Sequence, residues 1–365
     1  MPPDASRPRP EGPPEERPLG SGRVANGRAD PGEAAGEAVL EPDLPICDAH
    51  HHLWLDHGHT GFPYTLDDLR ADTDTGHNVV QTVFVECHAE YRTDGPVELR
   101  PVGEVEFVAE AAEASSRTPG PEIAAIVGHA DLTLGEAVED VVQALDVAGR
   151  GRFRGVRHNT AWDSAPMGNN AERNGIMGED GFRSGVRTLG RLGHSFDAMV
   201  FHTQIPELAD LARACPDVTI VANHLCVPVA GGPYRGRADE VRAFWRQNLP
   251  ELVRYENVVL KIGALIRPLS GERWDKRAVK ASSTEIAAAW GDEISFAIDT
   301  FGPSRCLFES NFPVDKRCFG YVEVWNAFKR LTVGFGEAER LDLFHDTAAR
   351  AYRLPTRAAQ RKETS

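Results

Sequence analysis

Short apolar runs rich in β-branched residues recur along the chain, and longer segments with apolar residues three and four positions apart separate them. The runs at 79–86 and 258–263 are typical of buried strands, whereas the spacing over 283–301 is typical of a helix that packs on one face. Strands are predicted at 45–52, 79–86, 123–130, 153–158, 194–202, 218–224, 258–263 and 305–311. Helices are predicted from 66, then at 103–114, 135–148, 180–192, 206–214, 238–255, 283–301, 321–331 and 337–352.

Eight strands, each followed by a helix, predict a parallel sheet covered by an outer ring of helices. The expected fold class is α/β, a distorted (β/α)8 TIM barrel. An open doubly wound sheet is the alternative arrangement. It is disfavoured because no Gly-x-Gly-x-x-Gly follows any predicted strand, so no dinucleotide site is indicated.

The first part of the chain has a different composition from the barrel. Residues 1–43 contain nine of the 25 prolines, mixed Arg and Glu, and no aromatic residue. Such a segment buries too little apolar surface to offset the entropy of ordering it. We therefore predict a disordered tail over 1–43, a barrel over 44–356 and a C-terminal tail over 357–365.

Charge and cysteine content restrict the class of partner and the compartment. The formal net charge of −15 argues against nucleic acid or an anionic membrane as a partner. No apolar run reaches the ~18 residues that span a membrane, and the N-terminus lacks the apolar segment of a secretory signal. The six cysteines form no Cys-x-x-Cys pair, so we expect reduced thiols in a cytoplasmic protein.

Three consecutive histidines stand at the end of the first predicted strand. Side chains on a strand alternate between its faces, so His50 and His52 point the same way and His51 points to the opposite face. Two neighbouring imidazoles can occupy two positions on one metal ion. A histidine run on the surface, or one core histidine with two exposed neighbours, would give the same pattern.

Polar residues also end most of the other predicted strands. In a TIM barrel the functional site lies at the carboxyl ends of the strands, where these side chains meet. A single histidine there is usually a core or rim residue, but repeated placement on several strands indicates a site. The residues concerned are Glu86, His129, Arg157, His158, His202, His224, Ser310 and Asn311.

These motifs resemble amidohydrolase family 2. The resemblance rests on Asp48-x-His50-x-His52, on Arg-Gly-Val-Arg-His at 154–158, on His224 and on Ser-Asn-Phe-Pro at 310–313. It extends from about residue 44 to residue 354. The chain is most similar to the TIM-barrel predicted hydrolases related to pyrone-dicarboxylate lactonases and sugar lactonases.

The resemblance implies hydrolysis of a small cyclic ester or amide, often with one divalent metal, zinc or manganese. His50 and His52 match a pair of metal ligands, and His202 matches a strand-five histidine of the metal-dependent decarboxylases. His224 matches a histidine that polarises the substrate or positions water. Arg157 suits a substrate carboxylate or carbonyl, because its planar fork binds carboxylates through two hydrogen bonds. The family also makes a homodimer plausible.

Asn311 departs from the family pattern, which has an aspartate at this position. An amide can coordinate a metal through its oxygen, but it cannot act as a base near neutral pH. Another group must therefore take the proton from water, or the site does not hydrolyse. A metal-independent site is a further alternative. The candidate bases are His224, Glu86, Glu309 and Asp315.

The predicted function is hydrolysis of a small lactone by an activated water molecule. His224, Arg157, Asn311 and Glu86 are the predicted catalytic residues. A non-oxidative, metal-dependent decarboxylase of the same family is one alternative. A barrel that binds a metabolite without hydrolysis is the other, and Asn311 motivates it. The predicted substrate-binding residues are Arg157, His158, Trp162 and Ser310.

Overall fold

One eight-stranded parallel sheet forms the centre of the molecule, and its strand order follows the sequence from β1 to β8. The computed structural model describes residues 36–56, 60–165, 170–229 and 231–354. The strands are β1 (Ile46–His51), β2 (Val79–Val85), β3 (Glu122–Gly128), β4 (Phe153–Val156), β5 (Ser195–Ala198), β6 (Ile220–Ala222), β7 (Val258–Ile262) and β8 (Cys306–Phe308).

The sheet closes between β1 and the segment after β8. The backbone N–H of Asn311 donates to the carbonyl of His50 over 3.0 Å, and that of His52 donates to the carbonyl of Phe312 over 2.8 Å. These bonds remove the exposed edges that an open sheet would have. The predicted TIM barrel is confirmed.

Helices follow the strands as the periodicity predicts. They are α1 (Leu66–Thr73), α2 (Val102–Ser116), α3 (Val138–Ala148), α4 (Asp180–Arg191), α5 (Ile205–Ala214), α6 (Ala238–Val253), α7 (Ser283–Phe301), α8 (Tyr321–Leu331), α9 (Glu337–Leu341) and α10 (Thr347–Ala351). A π-helical turn, Asp342–Asp346, joins α9 and α10 where one continuous helix was predicted.

Most strands are shorter than predicted, and the differences at β5 and β8 affect the site. β5 ends at Ala198, and His202 begins a 3-10 turn. The backbone N–H of His202 donates to the carbonyl of Val227 over 3.1 Å. β8 ends at Phe308, and Asn311 has a φ of 56°. That left-handed backbone is incompatible with a continuing strand.

Apolar residues pack in two layers, one inside the barrel and one between the sheet and the helices. The interior layer includes Val83, Val127 and Val221 from the strands. The last described turn of the chain packs onto it through Ala348 and Tyr352. The C-terminal segment therefore closes one end of the barrel.

The described part of the predicted tail, residues 36–43, contacts α7 and α8. Glu37 accepts a hydrogen bond from the backbone N–H of Ser283 over 2.7 Å. The Lys329 ammonium donates to the carbonyls of Leu40, over 2.7 Å, and of Glu41, over 2.8 Å. The rest of that tail, 1–35, and the predicted C-terminal tail lie outside the described residues. No helix in the described ranges is long and apolar enough to cross a membrane.

Candidate active site

His50 of β1 and His52, which follows the strand, were predicted to share a face, and they converge on one point inside the barrel mouth. Nε2 of His50 lies 3.2 Å from Nε2 of His52. Nδ1 of His52 donates to the carbonyl of Val85 over 2.8 Å. On the other ring, Nδ1 of His50 lies 2.8 Å from a carboxylate oxygen of Glu309. Because the carbonyl of Val85 can only accept, His52 carries its proton on Nδ1 and turns an unprotonated Nε2 toward Nε2 of His50.

This arrangement fits a bound cation. Burial, followed by the charge of Lys261, holds the pKa of His50 well below its usual range, and burial followed by the charge of Arg157 does the same for His52. The Nε2 lone pair of His52 points toward Nε2 of His50, and a cation between the two rings could bind both nitrogens. Nitrogen ligands about 2.0–2.1 Å from a tetrahedral zinc ion lie about 3.3 Å apart, close to the observed separation. Outer partners on each Nδ1 are typical of metal-binding histidines.

Glu309 connects His50 to His224. One carboxylate oxygen makes the contact with His50, and the other accepts a hydrogen bond from Nδ1 of His224 over 2.6 Å. The carboxylate is fully buried. Gly263 makes room for it, because a Cβ at that position would lie 2.2 Å from Cγ of Glu309. His50, His224 and Glu309 form one of the groups in the described residues that could hold a metal ion.

His224 lies on an unusual turn after β6. Residues 224–227 all have positive φ, from 26° to 57°, and none of them is glycine. Left-handed backbone costs about 1–2 kcal/mol for each such residue. The indole N–H of Trp245 donates to the carbonyl of Leu225 over 2.7 Å and helps to hold the turn. Strain of this kind concentrates at functional sites, where surrounding contacts maintain it.

Arg157 lies beside His50 and pairs with Glu86. Its Nε donates to a carboxylate oxygen of Glu86 over 2.6 Å, and a second nitrogen donates to the backbone carbonyl of Glu86. Another guanidinium nitrogen lies 3.4 Å from Nε2 of His50. Burial alone would raise the pKa of Glu86, but the charge of Arg157, aided by His129 and His88, lowers it below its usual value. Glu86 is therefore an ionised partner that positions Arg157.

Asn311 does not replace the missing aspartate. Its side-chain amide donates to Asp315 over 2.7 Å. Ser310 serves structure as well, since its N–H donates to Asp48 over 2.9 Å and its hydroxyl accepts from the N–H of Phe312 over 3.2 Å. The predicted roles of Asn311 in catalysis and of Ser310 in substrate binding gain no support from these contacts.

His202 and Trp162 belong to a neighbouring cluster. The ring of His202 packs against Tyr234, with centroids 5.1 Å apart, and the His50 ligand group in the described residues does not include it. Trp162 and Tyr234 line a cavity of about 360 Å³. The predicted metal role of His202 gains no support here. His158 lies elsewhere, where its Nδ1 accepts the N–H of Leu132 over 3.1 Å.

The loops after β6, β7 and β8 enclose a larger cavity of about 660 Å³. Each acidic residue of its lining has a partner: Asp239 pairs with an arginine of α6, Asp275 with Arg273, and Glu272 with a serine hydroxyl. The lining also contains three arginines for which the described part of the chain provides no ion pair. They are Arg235, Arg267 and Arg317.

Sequence reasoning named Glu309 only as one of four candidate bases, whereas the structure places it between two site histidines. No periodic signal marked it, because it follows the last residue of β8. Its best signal was chemical: a carboxylate next to a strand end is rarely buried without cationic or hydrogen-bonding partners. The described residues provide His50 and His224 as those partners.

A parallel barrel with histidines, an arginine and carboxylates gathered where its strands end has the architecture of TIM-barrel enzymes. Comparison with known proteins agrees. A sequence model of the family described as amidohydrolase matches residues 47–354. The chain therefore belongs to the amidohydrolase family, which is a family of enzymes.

Individual relatives are similar at modest identity. The chain is 29% identical over 335 residues to the uncharacterized protein y4mH of Sinorhizobium fredii, covering 86% of this chain and 99% of that protein. It is 30% identical over 243 residues to an L-fucono-1,5-lactonase of Burkholderia multivorans, covering 66% of this chain and 74% of that lactonase. A crystal structure of a Burkholderia multivorans amidohydrolase with bound zinc has the same fold, with a TM-score of 0.67 and 24% identity. The match covers 85% of this chain and 99% of that amidohydrolase.

Proposed function

We propose that this protein is a lactonase that opens a small cyclic ester with water. The observation that carries the proposal is the hydrogen bond between Glu309 and Nδ1 of His224. A carboxylate on Nδ1 fixes the tautomer of an imidazole and leaves Nε2 free to accept a proton, as in other hydrolytic sites. His224 thereby provides the base that Asn311 cannot.

In the proposed reaction, His224 takes a proton from water while the water oxygen bonds to the lactone carbonyl carbon. Arg157 stabilises the negative charge that develops on the carbonyl oxygen. The ring C–O bond then breaks, and the leaving alkoxide takes the proton back from His224. The product is a hydroxy acid, which releases one proton to solution near neutral pH. A divalent metal held by His50 and His52 would polarise the carbonyl or lower the pKa of water.

The larger cavity supports an acidic substrate. Arg235, Arg267 and Arg317 face it without a carboxylate partner in the described ranges, in a chain whose net charge is −15. Arginine binds carboxylates through a planar pair of N–H groups, so an acid group on the lactone suits this wall. We also propose a small-molecule substrate handled in the cytoplasm. All six cysteines are described and none forms a disulfide.

A lactone panel tests the proposal. The full-length protein, treated with chelator and then assayed with and without added zinc or manganese, is given neutral sugar lactones and lactones that carry a carboxylate. Ring opening is followed by proton release with a pH indicator, and His224→Asn is the control. Turnover that His224→Asn loses supports the proposal, with faster turnover of the acidic lactones. No turnover on any lactone, or carbon dioxide release from aromatic acids instead, refutes it.

A further inference from the structure

A second group of metal-type ligands lies where β2 and β3 end, outside the His50 cluster. Glu86, His88 and His129 each offer one ligand atom, and these atoms all lie within 4.8 Å of one another. The proposed lactonase reaction uses Glu86 only to position Arg157, and it uses neither histidine. The group therefore needs an explanation of its own.

Glu86 has a free oxygen that faces this group. Its first carboxylate oxygen is taken by Nε of Arg157. The second is buried and has no hydrogen-bond donor among the described residues, although Nε2 of His88 lies 3.3 Å from it. The carboxylate as a whole is 2% exposed. A buried charged oxygen without a donor is costly, and a cation is the partner that removes the cost.

Both histidines are available as ligands. Nδ1 of His129 lies 3.1 Å from the backbone carbonyl of Arg157, and a carbonyl can only accept. His129 therefore carries its proton on Nδ1 and keeps Nε2 free, which is the usual state of a metal-binding histidine with an outer partner. The His88 side chain is 65% exposed, and its Nε2 lies 3.3 Å from the buried oxygen of Glu86. An ion can reach it directly from solvent.

We propose that Glu86, His88 and His129 bind a divalent transition-metal ion at the rim of the barrel, separate from His50 and His52. Two imidazoles and one carboxylate form a ligand set that holds zinc and other first-row divalent ions with positions left open. Arg157 stays on the opposite oxygen of the same carboxylate. The open positions face solvent, where water or an anionic ligand completes the coordination.

Cobalt titration tests the site directly. The chelator-treated, full-length protein is dialysed against Co²⁺, and bound cobalt is measured by elemental mass spectrometry and by visible absorption. The variants are His88→Asn and His129→Asn. The matched control is His194→Asn, which removes a buried imidazole that pairs with Asp146 over 2.9 Å just before β5. Thermal unfolding of each metal-free variant verifies that it folds.

We expect wild type and His194→Asn to bind one equivalent of Co²⁺ that both His88→Asn and His129→Asn lose. Repeating the titration in a His52→Asn background isolates this equivalent from an ion held by His50 and His52. Equal cobalt content in wild type and in both rim variants overturns the proposal. So does the absence of bound cobalt in the wild type. His88 is largely exposed, so its variant stays informative even if His129→Asn fails to fold.

Discussion

Replacing Glu309 by glutamine removes one of the two oxygens that face His50 and His224. The glutamine amide keeps one hydrogen-bond acceptor but presents an NH₂ donor to the other ring. That imidazole must then move its proton from Nδ1 to Nε2 or lose its hydrogen-bond partner. Hydrogen bonds to a charged group contribute about 1.5–3 kcal/mol. Loss of the correct tautomer in a protease triad costs about 10⁴ in kcat. We therefore expect kcat to fall about 10²- to 10⁴-fold, which corresponds to about 2.7–5.5 kcal/mol of transition-state stabilisation.

The assay is proton release from the best lactone of the panel, with kcat and KM measured separately. Glu104→Gln is the matched control, because Glu104 is equally buried and burial raises the pKa of its carboxyl to about 8. At neutral pH that residue is largely protonated, so its amide variant keeps near-normal turnover. A folded Glu309→Gln enzyme with kcat less than about five-fold below wild type would refute the claim that Glu309 sets the tautomers.

Three further predictions concern stability. Asn311→Asp adds a carboxyl beside Asp315, and burial already raises the pKa of Asp315 well above its usual value. The variant should therefore lose unfolding free energy more steeply than wild type as pH rises above the usual carboxyl range. Equal slopes in denaturant titrations at each pH would contradict this. Arg157→Gln leaves Glu86 as an unpaired buried charge, so urea unfolding should show a loss of about 3–5 kcal/mol, and a loss under about 1 kcal/mol would count against the pair. Folding raises the pKa of Glu104 from 4.5 to about 8. The contribution of this carboxyl to the unfolding free energy of the wild type therefore falls as pH rises from about 4.5 to about 8. Glu104→Gln lacks this contribution, and coincident pH profiles of the two proteins would be inconsistent with it.

The fold could be predicted because it depends on repeated local patterns. The helix over 283–301 and the helix over 321–331 begin and end where the sequence indicates. The orientation of His50 and His52 could also be predicted, since it follows from the two-residue period of a strand. Arg157 and His224 were placed at the site by a different argument, their positions near the ends of predicted strands.

The remaining features of the site depend on irregular backbone, which no periodicity describes. Glu309 and Asn311 both follow β8, and only the structure shows that the first turns toward the histidines and the second toward Asp315. The left-handed turn at 224–227 contains no glycine, which is the residue from which a sequence predicts such a backbone. His202 was placed on a strand that in fact ends four residues earlier, at Ala198, so its side chain follows the turn rather than the barrel wall.

The closure of the barrel by its C-terminal segment has a consequence for synthesis on the ribosome. Tyr352, which packs inside the barrel, is translated 44 residues after Phe308, the last residue of β8. At about 5–20 residues per second, that interval lasts about 2–9 s. Throughout it, a nascent chain holds all eight strands but has an uncovered apolar interior. Chaperones that bind exposed apolar surface therefore have their best opportunity late in translation, after all eight strands have been synthesised.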